Sequence, residues 1–332
     1  MKIINDQQAQ SFKEFVQAYD SLIIVGHKEP DGDCIASSLG VAAILKKMGK
    51  PYQLISAGPF KRTEIKPYEK LFGKQATILQ TGKKTGLIIV DCGEFKRIGE
   101  VFSQDTLATD MSSLPTFFID HHKTSSPESE HYIIEPTSPA TSYLVQQLYE
   151  KLIGPLDKET AQILFFGLAT DTGYFRFLEE NSSDIFQAAS RLVDAGVSPR
   201  TTYDSMTSGK PFSTRKLLGV TLARATQYYK GKLIITYETM EDTRNYGGEG
   251  RDSDSLYQLL LSCIDVEVVV FIRQETEQSC TMGLRSRDQI DVSTVAAAFG
   301  GGGHKNASGC STLGTIEELI PKILSEFESK LK

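Results

Sequence analysis

Long apolar runs are missing from this sequence. Its longest unbroken apolar stretches reach only a handful of residues, against the roughly 20 that a membrane-spanning helix needs, so no membrane segment is expected. The first twenty residues carry Asp6, Glu14 and Asp20 and have no apolar core of the kind a secretory signal requires, so export is not indicated. Cysteine is sparse. Cys34, Cys92, Cys263, Cys280 and Cys310 are odd in number, widely spaced and free of any CxxC pair. That excludes a zinc ribbon, a thioredoxin site and a disulfide scaffold, and it suits reduced thiols in a cytoplasmic protein. Basic charge is also short: 36 Lys and Arg stand against 42 Asp and Glu, for a net charge of −6. A protein that tracks long nucleic acid by neutralising many phosphates is usually basic, so that role loses ground. A short or small phosphorylated ligand stays open, because a metal-rich pocket supplies positive charge locally.

At 332 residues the chain exceeds one ordinary core, and two domains of about 100–200 residues each are the expectation. Short apolar runs recur in the first half, each followed at once by polar residues. Leu22-Ile23-Ile24-Val25 leads into Gly26-His27, Leu87-Ile88-Ile89-Val90 into Asp91, and Phe117-Phe118-Ile119 into Asp120-His121-His122. Unbroken runs of this length read as strands buried on both faces, hence an α/β fold: an open, mainly parallel sheet with helices on each side. Ile35, Leu39, Ala42, Ala43 and Leu45 form one helical stripe, and a further helix is expected over 158–169. In such sheets ligands bind beyond the carboxyl ends of the strands, which is where these His and Asp residues fall.

The stretch 196–219 is rich in Ser, Thr, Gly and Pro and reads as a linker between a domain at 1–195 and a smaller α+β domain at 220–332. Seven basic residues (Arg200, Lys210, Arg215, Lys216, Arg224, Lys230 and Lys232) face one acid, Asp204, between Gly196 and Lys232. They read first as solubilising charge and second as a phosphate-attracting wall along a cleft between the domains. In the second domain, strands are expected over 232–238, 266–273 and 279–286, and helices over 255–263 and 292–299. A last helix shows the stripe Ile316, Leu319, Ile320, Ile323, Leu324, Phe327 and Leu331. Thr315 and Glu318 match a capping box for its start, while Pro321 calls for a shifted start or a kink.

The chemistry concentrates in four places. His27, Asp31 and Asp33 fall within seven residues of a Pro- and Gly-bearing loop, an oxygen and nitrogen cage that suits Mn²⁺ and less well Mg²⁺ or Zn²⁺. Asp91 follows a buried-type strand, Asp120-His121-His122 follow another, and Asp171 ends an apolar helix. The first loop, Asp91 and Asp171 each alone have an ordinary reading as a turn, a strand end or a helix cap, whereas three consecutive ionisable residues at 120–122 are hard to explain as packing, because burying them unpaired would be costly. Together they crowd acids and imidazoles onto one sheet edge, which would destabilise the fold unless cations neutralised it. Two divalent ions sharing a carboxylate would do that, and would also clamp an in-line attack on phosphorus. No Walker pattern is present, and Ala36-Ser37-Ser38-Leu39-Gly40 reads as small residues for helix packing rather than a nucleophile elbow.

The motifs GHKEPDGD, VDCGE, IDHH and GLATDTG, in that order, resemble those of the DHH phosphoesterase superfamily. Gly300-Gly301-Gly302-Gly303-His304-Lys305-Asn306-Ala307-Ser308-Gly309 resembles the glycine-rich motif of its C-terminal DHH-associated domain. The resemblance covers nearly the whole chain and points to the branch of oligoribonucleases (nanoRNases) and pAp phosphatases. It implies a catalytic DHH domain and a substrate-binding domain with the active-site cleft between them. It further implies two Mn²⁺ ions, with Mg²⁺ or Co²⁺ as substitutes. His27 and Asp31 would hold the first ion, Asp33, His121 and Asp171 the second, and Asp91 would bridge them. Asp120 would orient the histidines, and His122 would contact the scissile phosphate and protonate the leaving oxygen.

Arg285 and Ser286 match the family's Arg-Ser pair, and with Gly301, Gly302, Gly303 and His304 they would bind substrate. The activity so implied is hydrolysis of short oligoribonucleotides to nucleoside 5′-monophosphates and of 3′-phosphoadenosine 5′-phosphate (pAp) to AMP. Short oligoribonucleotides, pAp and other small nucleotides are then the partners, with a homodimer as the family's usual assembly. Three other readings compete: hydrolysis of linear pApA or pGpG in cyclic-dinucleotide turnover, an inorganic pyrophosphatase, and a catalytically silent nucleotide sensor. The pyrophosphatase reading lacks the GGGH signature in its second domain, and the sensor reading requires missing ligands, of which the sequence has none.

Overall fold

A computed structural model describes residues 4–77, 83–102, 114–287 and 289–331. The chain divides into two compact units, Met1–Gly209 and Lys210–Lys332. In the first, β1 (Ser21–Val25), β2 (Tyr52–Ile55), β3 (Thr85–Val90), β4 (Thr116–Asp120) and β5 (His131–Ile134) form a parallel sheet in the order β2-β1-β3-β4-β5. The chain leaves β1 for β2 on one side and returns to β3 on the other. The order therefore reverses between β1 and β3, where the loops that follow part and open a crevice. His27 and Asp91 follow those two strands.

β1 and β3 are buried at every position, which is why their sequences are unbroken apolar runs. On one face Leu22, Ile24, Ile88, Val90, Phe117 and Ile119 pack under α1 (Asp6–Ala18), α2 (Gly32–Lys47), α3 (Thr141–Leu152) and α4 (Lys158–Asp171). The other face carries Ile23, Val25, Leu87, Ile89 and Phe118. Among the described residues its cover includes Phe95, in a short 3-10 helix (Phe95–Arg97), and Ile98 and Val101 just after it. α2 and α4 pack unusually close: a Cβ at Gly167 would lie 2.4 Å from that of Ala36, and one at Gly40 would lie 2.7 Å from both Leu164 and Val145. The small residues of α2 are thus packing residues. This contact brings the start of α2, with Asp33, beside the end of α4, with Asp171.

The stretch expected as a linker is helical. After α5 (Ser183–Asp194), α6 (Pro199–Thr207) starts from a Ser198 cap with Pro199 in its first turn, and α7 (Phe212–Ala223) starts after Pro211. Several of the basic residues there have acidic partners, although Arg200 and Arg215 stay exposed. Arg215 pairs with Asp252 and Arg224 with Asp242, while Arg200 lies 3.8 Å from Asp204 and Lys232 3.7 Å from Glu267.

The second unit is a mixed sheet in the order β10-β11-β9-β8-β7-β6. Its strands are β6 (Thr226–Tyr228), β7 (Leu233–Glu238), β8 (Val268–Thr276), β9 (Ser279–Ser286), β10 (Gly302–His304) and β11 (Ala307–Leu313). Only the β7–β8 pair is parallel. α8 (Met240–Tyr246) follows β7, and α9 (Ser253–Leu261) packs with Ile234, Val269 and Phe271 on one face. α10 (Val292–Ala298) and α11 (Ile316–Leu331) cover Leu233, Val268, Val270 and Leu284 on the other. The Thr315–Glu318 capping box forms, and α11 starts at Ile316 and runs through Pro321 without a shifted start. Pro321 and Glu317 are both exposed, so the carbonyl that loses its partner faces water.

Candidate metal centre

The site is built where β1, β3 and β4 end and where α2 starts and α4 stops. His27 Nδ1 lies 2.9 Å from the Lys28 carbonyl. A carbonyl only accepts, so Nδ1 carries a proton, and in the neutral ring that a cation requires the lone pair is on Nε2. That nitrogen faces Asp91 Oδ2 at 3.4 Å and Asp31 Oδ1 at 3.8 Å. His121 repeats the arrangement. Its Nδ1 lies 3.1 Å from the Ser138 carbonyl, and Nε2 faces Asp171 Oδ2 at 3.4 Å and Asp91 Oδ1 at 3.8 Å. Backbone carbonyls that fix the tautomer and aim the free nitrogen are the outer partners that metal-binding histidines need.

Asp91 is common to both. It is buried and held in the left-handed region, with φ 59°, a conformation that costs a non-glycine residue energy and clusters at functional sites. Its Oδ1 accepts the Thr141 hydroxyl at 3.0 Å. Asp33, 1 % exposed, accepts the Thr141 and Ser142 amides at 2.6 and 2.9 Å. Ala140, at the N-cap of α3, has no side chain to cap that helix. Asp33 supplies the missing cap from α2, and the helix dipole favours its charge.

The third imidazole is bound differently. Asp120 is fully buried; its Oδ1 accepts the His121 and His122 amides at 2.8 and 3.3 Å and the His122 Nδ1–H at 2.7 Å. The Ser125 hydroxyl donates to its other oxygen. Asp120 thus fixes the whole His121–His122 turn and leaves His122 Nε2 unclaimed by it.

The electrostatics express this crowding. Burial, then the charges of Asp91 and Asp171, push Asp33 well above the usual carboxylate range. Burial, opposed by His121 and reinforced by Asp91 and Asp31, lifts Asp171 to about 6. Burial would raise Asp31 too, but His27 beside it outweighs that and brings it down to about 2. Burial also opposes charge on His27, yet Cys34, Asp31 and Asp91 together hold it well above an ordinary imidazole. Asp120 raises His122, and His122 and Ser125 overcome burial to lower Asp120.

Among the described residues, three groups of side chains bring donor atoms within 4.8 Å of one another: His27, Cys34 and Asp91; Asp91, His121 and His122; Asp33, His121 and Asp171. Carboxylate oxygens and imidazole nitrogens predominate, a donor set for hard or borderline divalent cations. Aimed lone pairs and mutually repelling buried acids fit such a cation well. Asp31 contacts His27 but belongs to none of the three groups; its Oδ1 caps α2 by accepting the Cys34 amide at 3.1 Å. Cys34 was not anticipated. Burial raises its thiol to about 11.

In the second unit, His304 pairs with Ala307, and Ala307 with Arg285, so the three lie in one row across β10, β11 and β9. Gly302 and Gly303 are exposed on β10. Gly301 lies against β11 so closely that a Cβ there would be 2.2 Å from the Gly309 carbonyl oxygen. The Arg285 guanidinium stacks 4.7 Å from the Tyr257 ring centroid and donates to the Leu284 carbonyl at 3.0 Å. Ser286 points to the opposite, buried side, where its hydroxyl donates to the Ile290 carbonyl at 2.6 Å. The structure therefore aligns Arg285 with His304 and turns the Ser286 side chain to the other face of β9, where its hydroxyl also lies 3.5 Å from the Lys305 carbonyl.

Residues 21–168 match the family model "DHH family, N-terminal domain", and residues 231–332 match the DHHA1 domain. The chain belongs to the DHH family. It is 28 % identical over 311 residues to the bifunctional oligoribonuclease and PAP phosphatase NrnA of Thermus thermophilus, covering 93 % of this chain and 90 % of that one. It is 22 % identical to the enzyme of the same name from Bacillus subtilis, over 96 % of each chain. It is also 25 % identical to the cyclic-di-AMP phosphodiesterase PdeA of Listeria monocytogenes, over 98 % of this chain but only 50 % of that protein. A solved exopolyphosphatase-related protein from Bacteroides fragilis superposes with a TM-score of 0.82 at 26 % identity, covering all of this chain and 99 % of the other. The DHH-family chain is thus a hydrolase of the phosphoester class. Among its described residues no helix is long and apolar enough to cross a membrane.

Proposed function

We propose that the protein is a manganese-dependent phosphoesterase that hydrolyses short oligoribonucleotides to nucleoside 5′-monophosphates and converts pAp to AMP. The observation that carries this reading is the position of Asp91, whose two oxygens face His27 on one side and His121 on the other. A carboxylate so placed is suited to be shared between two cations. His27, Asp31 and Asp91 would hold one, and Asp33, Asp91, His121 and Asp171 the other. Bound there, two Mn²⁺ ions, with Mg²⁺ or Co²⁺ as substitutes, would activate water and stabilise charge on the attacking and leaving oxygens.

The chain's own contribution to proton movement is His122. Its Nδ1–H is committed to Asp120, and the hydrogen bond to Asp120 raises its pKa, which favours a second proton on Nε2 as the donor to the leaving oxygen. In the second unit, Arg285, in one row with His304 of the exposed strand β10, offers donors for a further phosphate, Arg being suited to bidentate contact, whereas the Gly301 N–H is already bonded to the Ala296 carbonyl. The near-full-length similarity to two enzymes named oligoribonuclease and PAP phosphatase supports the substrate choice. Similarity to a cyclic-di-AMP phosphodiesterase favours, as the second reading, linear dinucleotides such as pApA or pGpG.

Purified protein in Mn²⁺ should be offered pAp, an end-labelled diribonucleotide, a long RNA, pApA and pyrophosphate. AMP from pAp and monophosphates from the diribonucleotide are expected, with the long RNA and pyrophosphate left intact. Fast turnover of pApA with slow turnover of the others selects the second reading. Turnover of pyrophosphate alone, or of nothing, overturns both.

A further inference from the structure

The turn after Asp171 carries an aromatic surface that the hydrolytic chemistry leaves unused. Gly173, Tyr174 and Phe175 are all left-handed, with φ 57°, 59° and 68°, a costly conformation for the two aromatic residues. The turn is tied down by its own backbone: Tyr174 N donates to the Ala169 carbonyl at 2.6 Å, Phe177 N to the Thr172 carbonyl at 3.1 Å, and Phe175 N to the Thr172 hydroxyl at 3.0 Å. Its consequence is that the Phe177 ring lies directly on Gly173, where a Cβ would fall 2.4 Å from the ring. Phe177 is nevertheless 62 % exposed. The Arg176 guanidinium stands 4.6 Å from its centroid. Behind it, Phe175 stacks on Phe186 at 5.5 Å.

An isolated exposed aromatic is unremarkable on a protein surface. This one is held by a strained turn whose foot is the candidate metal centre. Gly173 is two residues from Asp171, so their Cα atoms are at most about 7.6 Å apart, within the span of one nucleotide. The acids and imidazoles recognise what every phosphoester shares; a preference for nucleotides needs a contact with the base. A largely exposed ring with a guanidinium over it suits that contact, because a base can stack on either planar group, every base has a π-face and stacking does not depend on sequence.

We infer that Phe177 and Arg176 form a nucleobase-stacking subsite beside Asp171, which takes the base of the nucleotide at the scissile phosphate. This rests on the nucleotide phosphoesterase reading above and adds to it how nucleotides are told from other phosphates. The subsite would accept all four bases.

The chain contains no tryptophan, so Phe177→Trp places a single indole at the subsite. With Mn²⁺ present, its emission is expected to be quenched by AMP, CMP, GMP and UMP but not by ribose 5-phosphate. Phe177→Ala is expected to raise KM for pAp about ten- to a hundredfold with little change in kcat. Phe177→Tyr should restore KM, and Phe177→Leu, which keeps bulk but no π-face, should not. Equal fluorescence responses to AMP and ribose 5-phosphate, or an unchanged KM in Phe177→Ala while the enzyme still turns over pAp, overturn the subsite alone. Absence of turnover by the wild type on every nucleotide overturns the functional reading, and does so without reference to Phe177.

Discussion

The Thr141 hydroxyl donates to Asp91 at 3.0 Å, tying the first residue of α3 to a carboxylate 50 residues earlier. The same residue's amide holds Asp33 at 2.6 Å. One threonine therefore orients two of the acids that crowd the site, and the start of α3 acts as their common support. Losing such an outer contact typically costs 10- to 100-fold in metal affinity or activity. Thr141→Val keeps the shape and the amide but removes the donor. We expect kcat/KM to fall by about that factor and the Mn²⁺ requirement to rise, with Thr141→Ser near wild type. A wild-type Mn²⁺ titration curve for Thr141→Val would refute the orienting role.

The Asp120–His122 hydrogen bond makes a prediction about pH. Asp120 raises the His122 pKa, so the Nε2 proton needed for the leaving group persists to higher pH than an ordinary imidazole allows. Activity should therefore decline only as pH rises through that raised value. Asp120→Asn removes the cause, and the alkaline limb of the kcat profile should move toward lower pH as the rate drops. The same bond acts on stability with two signs. The raised imidazole contributes below its unfolded pKa and is lost as pH rises through the folded one. The depressed Asp120 carboxylate contributes above its unfolded pKa and is lost as pH falls. An alkaline limb unmoved by Asp120→Asn would rule out His122 as the proton donor.

Much of this site could be read from the sequence because its residues follow unbroken apolar runs. His27, Asp91 and Asp120–His122 come directly after strands whose burial pattern is written in Ile, Leu, Val and Phe. The supporting contacts were hidden. Asp33 caps a helix that starts 108 residues later, and no local pattern announces that α2 and α3 meet there. Cys34 joins the His27 and Asp91 group only because the first turn of α2 folds back under His27. The stretch 196–219 misled for a chemical reason: Ser-Pro, Gly and Thr mark loops, but Ser198-Pro199 is equally a helix start. Of the basic residues there and just beyond, Arg215 and Arg224 are met by Asp252 and Asp242, acids supplied later in the chain.

The lifted Asp171 carboxyl, at about 6, predicts that the metal-free protein weakens as pH rises. In the folded state Asp171 binds its proton more tightly than in the unfolded chain, so stability falls between the ordinary carboxylate pKa near 4 and about 6. The effect is on the order of 1–3 kcal/mol, since one pKa unit corresponds to about 1.4 kcal/mol. In EDTA, Asp171→Asn should melt higher than wild type at pH 7 and lose that advantage at pH 4. Mn²⁺ should raise the melting temperature of the wild type far more than that of the variant. A variant that melts below wild type at pH 7 in EDTA would contradict this account of repulsion relieved by cations.

Arg285 and Ser286 are neighbours that face opposite ways, so their substitutions should separate. The Ser286 hydroxyl is buried and bonded to the Ile290 carbonyl. Ser286→Ala should cost about 1 kcal/mol of stability and leave KM for pAp nearly unchanged. Arg285 lies in the row with Ala307 and His304, and its guanidinium rests on Tyr257 with donors to spare after the Leu284 carbonyl. Arg285→Ala should therefore raise KM for pAp, and Arg285→Lys should recover only part of the loss, because an ammonium cannot reproduce the planar fork. Tyr257 helps to set that fork: a Cβ at Gly283, two residues earlier on the same face of β9, would lie 2.1 Å from its hydroxyl, so Gly283→Ala should displace the ring and disturb Arg285. Measuring KM and melting temperature on all four variants decides the matter. If Ser286→Ala raises KM as much as Arg285→Ala does, the two act as one substrate contact and the division drawn from their orientation is wrong.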